Sequence, residues 1–421
     1  MSPRVKHLLT IFAIIFLLGF ISLGSFVLGM AFHANFYTGT QPDNLTTALT
    51  AFSSSGEIHQ APNFNVADIP PEFSTFWEAW IFLNEEFYGE IPADDERVYG
   101  AIRGMVTSFG DQHTSFIDPV RAAIMSENIQ GSFEGIGATI RMDEAGRLII
   151  ADPMPDRPAF KAGLRPGDII VEIDDQTVEG LSLFEAVLEI RGPANSSVTL
   201  TILREDEPEP LEFTVMRAKI ELEVVESKMV GDTIGYVRLT QFSGGAAEKL
   251  TEAIEDLFEQ GAEALVFDLR SNPGGLLSEA VNVGSLFVNS GTITIERLRG
   301  GEEKVFTAKR GYQVATDTPL VILVNSGSAS ASEIVAGAMQ DLDRATVIGQ
   351  QTFGKGSVQL PHTLSDGSEL RVTIAEWLTP AGRQIHQQGI APDIEVELTS
   401  EDIENERDPQ LEQALEFLKG E

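Results

Sequence analysis

The sequence predicts an α/β protein of several domains: an N-terminal transmembrane helix, a helical N-terminal region, a small strand-rich unit and an α/β core. Three observations carry that prediction. The chain has 421 residues, 43% of them hydrophobic, enough for about two to four well-filled domains. Leu8 to Phe32 contains no charged residue and is long enough for one membrane span of about 20 residues. From Ile234 onward, short apolar runs alternate with amphipathic stretches, as strands alternate with helices.

Arg4 and Lys6 precede the uncharged run, which places the N-terminus in the cytoplasm and all that follows Phe32 outside it. A cleaved signal peptide has an apolar core of about 7 to 15 residues and an Ala-Xaa-Ala-like site. This run is longer, and Met30-Ala31-Phe32-His33-Ala34 matches such a site poorly. Residues 1–34 are therefore expected to be an uncleaved anchor in a lipid bilayer. Residues 35–65, rich in Asn, Thr, Ser, Gly and Pro without periodicity, read as a linker. In residues 66–128, Phe73, Phe76, Trp77, Trp80, Ile81, Leu83 and Phe87, then Val98, Ile102, Met105 and Val106, recur at helical spacing. They are expected to form core or a helix–helix contact, in a helical region packed on the α/β core.

Residues 129–218 alternate as strands, at Arg147 to Ala151, Asp168 to Ile173 and Ser197 to Ile202, with a short Gly-capped helix near Ala159 to Gly163. Residues 219–397 form the core. Ile234 to Leu239 and Ala264 to Asp268 read as strands, Ala246 to Gln260 as an amphipathic helix, and Arg270 to Leu276 as a sharp turn. Residues 398–421 hold a short amphipathic helix from Asp408 to Lys419 with no evident use.

Composition excludes several functions. There are 64 acidic and 29 basic residues, a net charge of −35, whereas binding nucleic acid takes clustered positive charge. Without cysteine the chain has no disulfide, thiolate nucleophile or Cys-ligated zinc. No metal site and no cofactor is expected.

The chemistry lies between Pro319 and Gln359. Pro319 to Val324 reads as a buried strand, and Asn325 to Ser332 as a turn of small polar residues before a helix that begins near Glu333. A serine at such a turn is exposed, and free N–H groups of the helix start point toward it. Alone, these serines are equally well a linker or a helix cap, since Ser-Xaa-Xaa-Glu is a common capping pattern. What changes the balance is Lys355, set between Gly354 and Gly356 after the next strand, Ala345 to Ile348. Serine is a weak nucleophile at neutral pH, and a buried lysine amine can take its proton once its pKa is lowered.

Ser-Ala-Ser-Ala-Ser-Glu (Ser328 to Glu333), Thr-Phe-Gly-Lys-Gly (Thr352 to Gly356) and Gln359, in that order, resemble the motifs of the C-terminal processing, or tail-specific, proteases that carry a PDZ domain. The resemblance covers residues 66–397. It implies that Ser330 is the nucleophile, Lys355 the general base and Gln359 the residue that positions the lysine. It implies an oxyanion hole built from the N–H of Ala331 and that of Gly274 or Gly275 in the Asn-Pro-Gly-Gly turn, without settling which glycine. It implies that residues 129–218 are a circularly permuted PDZ domain and that the α/β core is crotonase-like. The loop Gly135-Ile136-Gly137-Ala138 would hold a substrate's C-terminal carboxylate.

Substrates would be proteins or peptides captured by their tails, and a homo-oligomer is compatible with this. The expected location is the bacterial cytoplasmic membrane, with the catalytic part on the periplasmic or cell-wall side. Gln112 stands where such proteases have proline in the Asp-Pro-His-Ser type of turn. Rival readings are a catalytically dead scaffold, an acyl-CoA enzyme, and a Ser-His hydrolase using His113, His362 or His386. An internal lysine between glycines argues against the first, and the absence of a Gly-Xaa-Ser-Xaa-Gly elbow against the last.

Overall fold

A six-stranded sheet organises the second half of the chain, in a computed structural model that describes residues 70–420 with the exception of Glu144. Its order is Val225–Val230, Ile234–Leu239, Ala264–Asp268, Leu320–Val324, Thr346–Gly349 and Ile394–Glu395. The first pair is antiparallel and the others are parallel. Parallel strands are buried on both faces and so read as unbroken apolar runs. Leu320–Val324 is the clearest case. Leu320, Ile322 and Val324 face a core shared with the helices Ala246–Glu259, Leu277–Phe287 and Ala331–Asp341. Val321 and Leu323 face the C-terminal helix Pro409–Lys419 through Leu411, Ala414, Leu415 and Leu418. The last helix, for which the sequence offered no use, is the cover of the sheet's second face.

A second sheet is built on Glu369–Leu378, paired with Ser115–Ile117, Ser357–Thr363 and Thr292–Leu298, the last of which also pairs with Glu303–Thr307. Ser357–Thr363 begins just after Lys355, so this sheet fixes where the lysine loop ends.

The strand-rich unit has its own core of Ile136, Leu148, Ile150, Ile170, Val198, Leu200 and Ile202. Its sheet runs Ala138–Met142, Leu148–Pro153, Ile169–Ile173, Ser197–Leu203 and Leu211–Met216, which leaves Ala138–Met142 as an edge strand. The helix Leu183–Ile190 starts at a capping box between Ser182 and Glu185. A two-stranded stem, Ser132–Gly135 with Ala218–Glu221, joins the unit to the core.

Two expectations are corrected. No helix among the described residues is long and apolar enough to cross a membrane, so the fold seen is an α/β core, a small β-rich unit and a helical N-terminal region without a transmembrane helix. The run from Leu8 to Phe32 lies outside the described residues. The aromatic stripe of Phe73–Glu86 contains no buried residue. It therefore forms no core, and of the two expected roles the helix–helix contact is the one seen: the Arg97 guanidinium of the next helix lies 4.6 Å over Trp80, while the rings also meet one another, as in the edge-to-face contact of Phe76 with Trp77 at 5.2 Å. Helical spacing defines a face but not what covers it. Contact with the core comes from the following helix, Asp94–Thr107, through buried Val106 and through Tyr99, whose hydroxyl donates to Asp366 at 2.9 Å.

Candidate active site

Ala264–Asp268, Leu320–Val324 and Thr346–Gly349 are parallel neighbours, so the loops that follow them leave the same edge of the sheet. Open α/β sheets place their sites at such carboxyl ends.

The loop after Leu320–Val324 carries the three serines. Ser328 and Ser332 are fully buried. Ser328 Oγ donates to Leu269 O at 2.8 Å and Ser332 Oγ to Asn272 O at 2.9 Å, so both hydroxyls tie this loop to the loop after Ala264–Asp268. Ser330 stands between them at φ 54°, ψ −112°, immediately before the helix Ala331–Asp341. That backbone is sparsely populated for a residue with a side chain, and such strain gathers at functional sites. Its Oγ donates to no protein group among the described residues.

The neighbouring turn is fixed by Asn272. Its Nδ2 donates to Leu239 O at 2.7 Å, and its Oδ1 accepts from Gly274 N at 2.9 Å. Ser271, itself at φ 58°, donates its N–H to Asn325 Oδ1 at 2.8 Å. Both glycines are required by close approach. A Cβ on Gly274, at φ 98°, would lie 2.8 Å from Ser330 Cβ and 2.9 Å from Ala331 N. A Cβ on Gly275 would lie 2.2 Å from Phe242 O. The Gly274 N–H is occupied by Asn272, whereas the N–H groups of Gly275 and Ala331 have no acceptor among the described residues.

The third loop delivers Lys355. Gly356 packs so tightly that a Cβ there would lie 2.2 Å from His386 N. Burial, joined by the Arg371 guanidinium, pushes the Lys355 amine below its ordinary pKa, and Glu333 opposes them. The Glu333 carboxylate is fully buried between the two loops. It accepts from Thr352 Oγ1 at 2.6 Å and Gly354 N at 2.7 Å, and from Ser330 N at 2.8 Å and Lys355 N at 2.9 Å. In the sequence Glu333 stands only as the end of the serine run or as part of a helix cap. The Ser-Xaa-Xaa-Glu spacing was the available signal, and it pointed to a helix start, not to a second loop.

Ser330 and Lys355 are thus brought onto one carboxylate, although no hydrogen bond joins Oγ to Nζ. No hydrogen bond joins Gln359 to the lysine amine. Its Nε2 donates to Ser357 Oγ at 2.5 Å. His113 and His386 meet edge-to-face at 5.5 Å on the lysine side of the site, and neither bonds to Ser330. Burial and then the charge of Lys355 lower the His113 pKa. His362 lies away on Ser357–Thr363, opposite Leu370. Among the described residues no cluster of His, Cys, Asp or Glu could hold a metal ion.

In the strand-rich unit, Gly135 pairs with Ala218, and the carbonyls of Ile136 and Gly137 accept from Ala159 N at 2.8 Å and Met154 N at 3.0 Å. With these carbonyls turned into the domain, the N–H groups of Ile136 and Gly137 are left without a protein acceptor, beside the free edge of Ala138–Met142.

Residues 233–396 match the model of peptidase family S41, and residues 126–203 that of the PDZ domain. The chain is 39% identical to a carboxyl-terminal-processing protease of Synechocystis sp., over 81% of each chain. It is 42% identical to a carboxy-terminal-processing protease of Bartonella bacilliformis, over 74% of this chain and 72% of that one. It is 36% identical to the carboxy-terminal processing protease CtpA of Bacillus subtilis, over 78% and 69%. With family models on both the core and the strand-rich unit, and relatives matched along most of their length, the chain belongs to peptidase family S41, as a C-terminal processing serine protease with a PDZ domain.

Proposed function

We propose that this protease cleaves peptide bonds through an acyl-enzyme on Ser330, with Lys355 as the base, after its PDZ domain has taken hold of the substrate's C-terminus. Ser330 Oγ attacks the scissile carbonyl carbon while its proton passes to Lys355 Nζ. Lys355 then gives that proton to the leaving amine as the C–N bond breaks. Water attacks the ester carbonyl, Lys355 takes the water's proton, and the proton returns to Ser330 Oγ as the acid product leaves. Negative charge on the carbonyl oxygen is met by the N–H groups of Ala331 and Gly275, because the Gly274 N–H is already bonded within its own turn. Gln359 acts at one remove, by holding Ser357 on the strand that follows the lysine. The substrate's terminal carboxylate is held by the N–H groups of Ile136 and Gly137, and its backbone adds as a strand to Ala138–Met142.

The observation that carries the reading is the contrast among the serines: two hydroxyls that donate to buried carbonyls, and one at a helix N-cap that donates to no protein group among the described residues, with a buried lysine on the adjoining loop. The missing Oγ–Nζ bond is ordinary without substrate, since catalytic hydrogen bonds often tighten only in the complex. Ser330→Ala is expected to abolish peptide cleavage while leaving tail binding intact. Lys355→Arg is expected to be as inactive as Lys355→Ala, since a guanidinium stays protonated. Cleavage should rise with pH along one deprotonation. Substantial activity in Lys355→Arg, or its loss in a folded His113→Ala or His386→Ala protein, would replace the lysine by a histidine base.

A further inference from the structure

Glu333 belongs to the helix that follows Ser330, yet three of the four bonds to its carboxylate come from the loop that carries Lys355. Its Oε2 is shared by the Ser330 and Lys355 backbone N–H groups, while Oε1 takes Thr352 Oγ1 and the Gly354 N–H. We propose that the ionised Glu333 carboxylate is the positioning residue that holds the nucleophile turn and the lysine loop at their working separation. This rests on the Ser330–Lys355 reading above.

The donor set fixes the charge state. Three backbone N–H groups can only donate, and the Thr352 hydroxyl accepts from Ile390 N at 2.7 Å while donating to Glu333. A protonated Glu333 would bring an O–H to a place that already holds four donors, whereas a carboxylate accepts all four. Burial holds the Glu333 pKa above the ordinary carboxyl value, and the four bonds pull against it. A group that costs this much to bury is kept only when its bonds are made, and removing one partner leaves the others stranded.

The same charge reaches the base. Lys355 is faced by Glu333 from the nucleophile helix, by Arg371 from Glu369–Leu378 and by His113 from the turn before Ser115–Ile117. Glu333 raises the lysine's pKa and Arg371 lowers it. Loss of the Glu333 charge leaves Arg371 unopposed, so the amine deprotonates at lower pH. A carboxylate remote from the base would not move this value.

The test is a pH profile of kcat, for a short peptide that does not engage the PDZ domain, in the full chain and in Glu333→Gln and Glu333→Asp. Glutamine keeps the shape but turns an amide donor toward two N–H donors. Its kcat should fall about a hundredfold, the effect of roughly an ångström of misplacement, with little change in KM. The midpoint of the alkaline rise in its residual activity should move to lower pH. Aspartate keeps the charge but is too short to reach both loops, so its kcat should fall while the midpoint stays. A wild-type kcat in Glu333→Gln, or a midpoint that does not move, overturns the proposal. Where Glu333→Gln does not fold, Thr352→Val decides: it removes one tie from Oε1, and an unchanged kcat would overturn the proposal, while a fall of about tenfold with constant KM supports it. Lys355→Arg run in parallel separates the two readings. An active Lys355→Arg refutes the lysine base itself, whereas an inactive one beside a normal Glu333→Gln refutes only the positioning role.

Discussion

At the scale of single residues, the three alternating serines differ in what their hydroxyls are bonded to, and their substitutions should differ accordingly. Ser328 Oγ both donates to Leu269 O and accepts from Asn325 N at 3.0 Å. Ser328→Ala leaves the Asn325 N–H without its partner and takes one bond from Leu269 O, which still accepts from Asn272 N at 3.2 Å, and should destabilise by about 1–3 kcal/mol. Ser332→Ala removes one bond to Asn272 O, which still accepts from Ala329 N at 3.0 Å, and should cost only about 0.5–1.5 kcal/mol. Ser330→Ala loses only the capping contact of its Oγ with the start of the helix Ala331–Asp341, and should cost no more than about 0.5 kcal/mol, the low end for an N-cap. Denaturant midpoints of the three variants check this order. A Ser330→Ala protein less stable than Ser328→Ala would mean that the hydroxyl of Ser330 is part of the scaffold.

At the scale of elements, a buried charge network ties the C-terminal helix to the turn that leads to Gly274 and Gly275. Asp268, at the end of Ala264–Asp268, accepts from Tyr236 Oη at 2.7 Å and from Arg270. Arg270 reaches on to Asp408, the N-cap of Pro409–Lys419, with two bonds of 2.8 Å. Burial by itself would raise the Asp408 carboxyl, but the Arg270 guanidinium and the backbone N–H groups of Leu411 and Gln410 together outweigh it and hold the pKa below its ordinary 3.8. The stabilisation is therefore complete above the unfolded value and lost as pH falls through the lower folded value. Asp408→Ala should cost about 1–3 kcal/mol at neutral pH, and the difference from wild type should shrink below about pH 4. Urea titrations at several pH values measure it. A difference that does not change with pH would show that the charge of Asp408 contributes little, in the pair with Arg270 and in the cap alike.

At the scale of the molecule, the PDZ domain and the protease core have separate hydrophobic cores, joined through the stem and through the helix Pro119–Ile129. That helix meets the PDZ domain where Arg121 lies 4.8 Å over the Phe184 ring and where Glu127 pairs with Arg191 at 2.5 Å. If the loop Gly135 to Ala138 holds the tail's carboxylate, as proposed, it has only backbone donors to offer, and its grip depends on the charge of the tail. Amidating a substrate's C-terminus should weaken binding by roughly ten- to a hundredfold, the worth of hydrogen bonds to a charged group. Titration calorimetry of paired free-acid and amidated peptides on the Ser330→Ala protein measures this. Equal affinity would leave the domain without a role in reading tails.

The sequence by itself determined what is local in the chain. Strand, turn and helix around Ser330 follow from composition and spacing, as do the glycines on either side of Lys355 and the alternation of strands and helices in the core. Only the tertiary structure decided what depends on partners far apart in sequence. It separated Gly275 from Gly274, because the state of an N–H depends on whether Asn272 Oδ1 comes back to it. It separated Ser330 from Ser328 and Ser332, because their acceptors lie about sixty residues earlier, in another loop of the same sheet edge. It turned Glu333 from a capping residue into the link between two loops, and it left the aromatic stripe of Phe73–Glu86 uncovered among the described residues. Spacing along a chain fixes which side chains share a face. What meets that face is set by where the rest of the chain folds, and hydrogen-bond satisfaction in the buried interior is decided there.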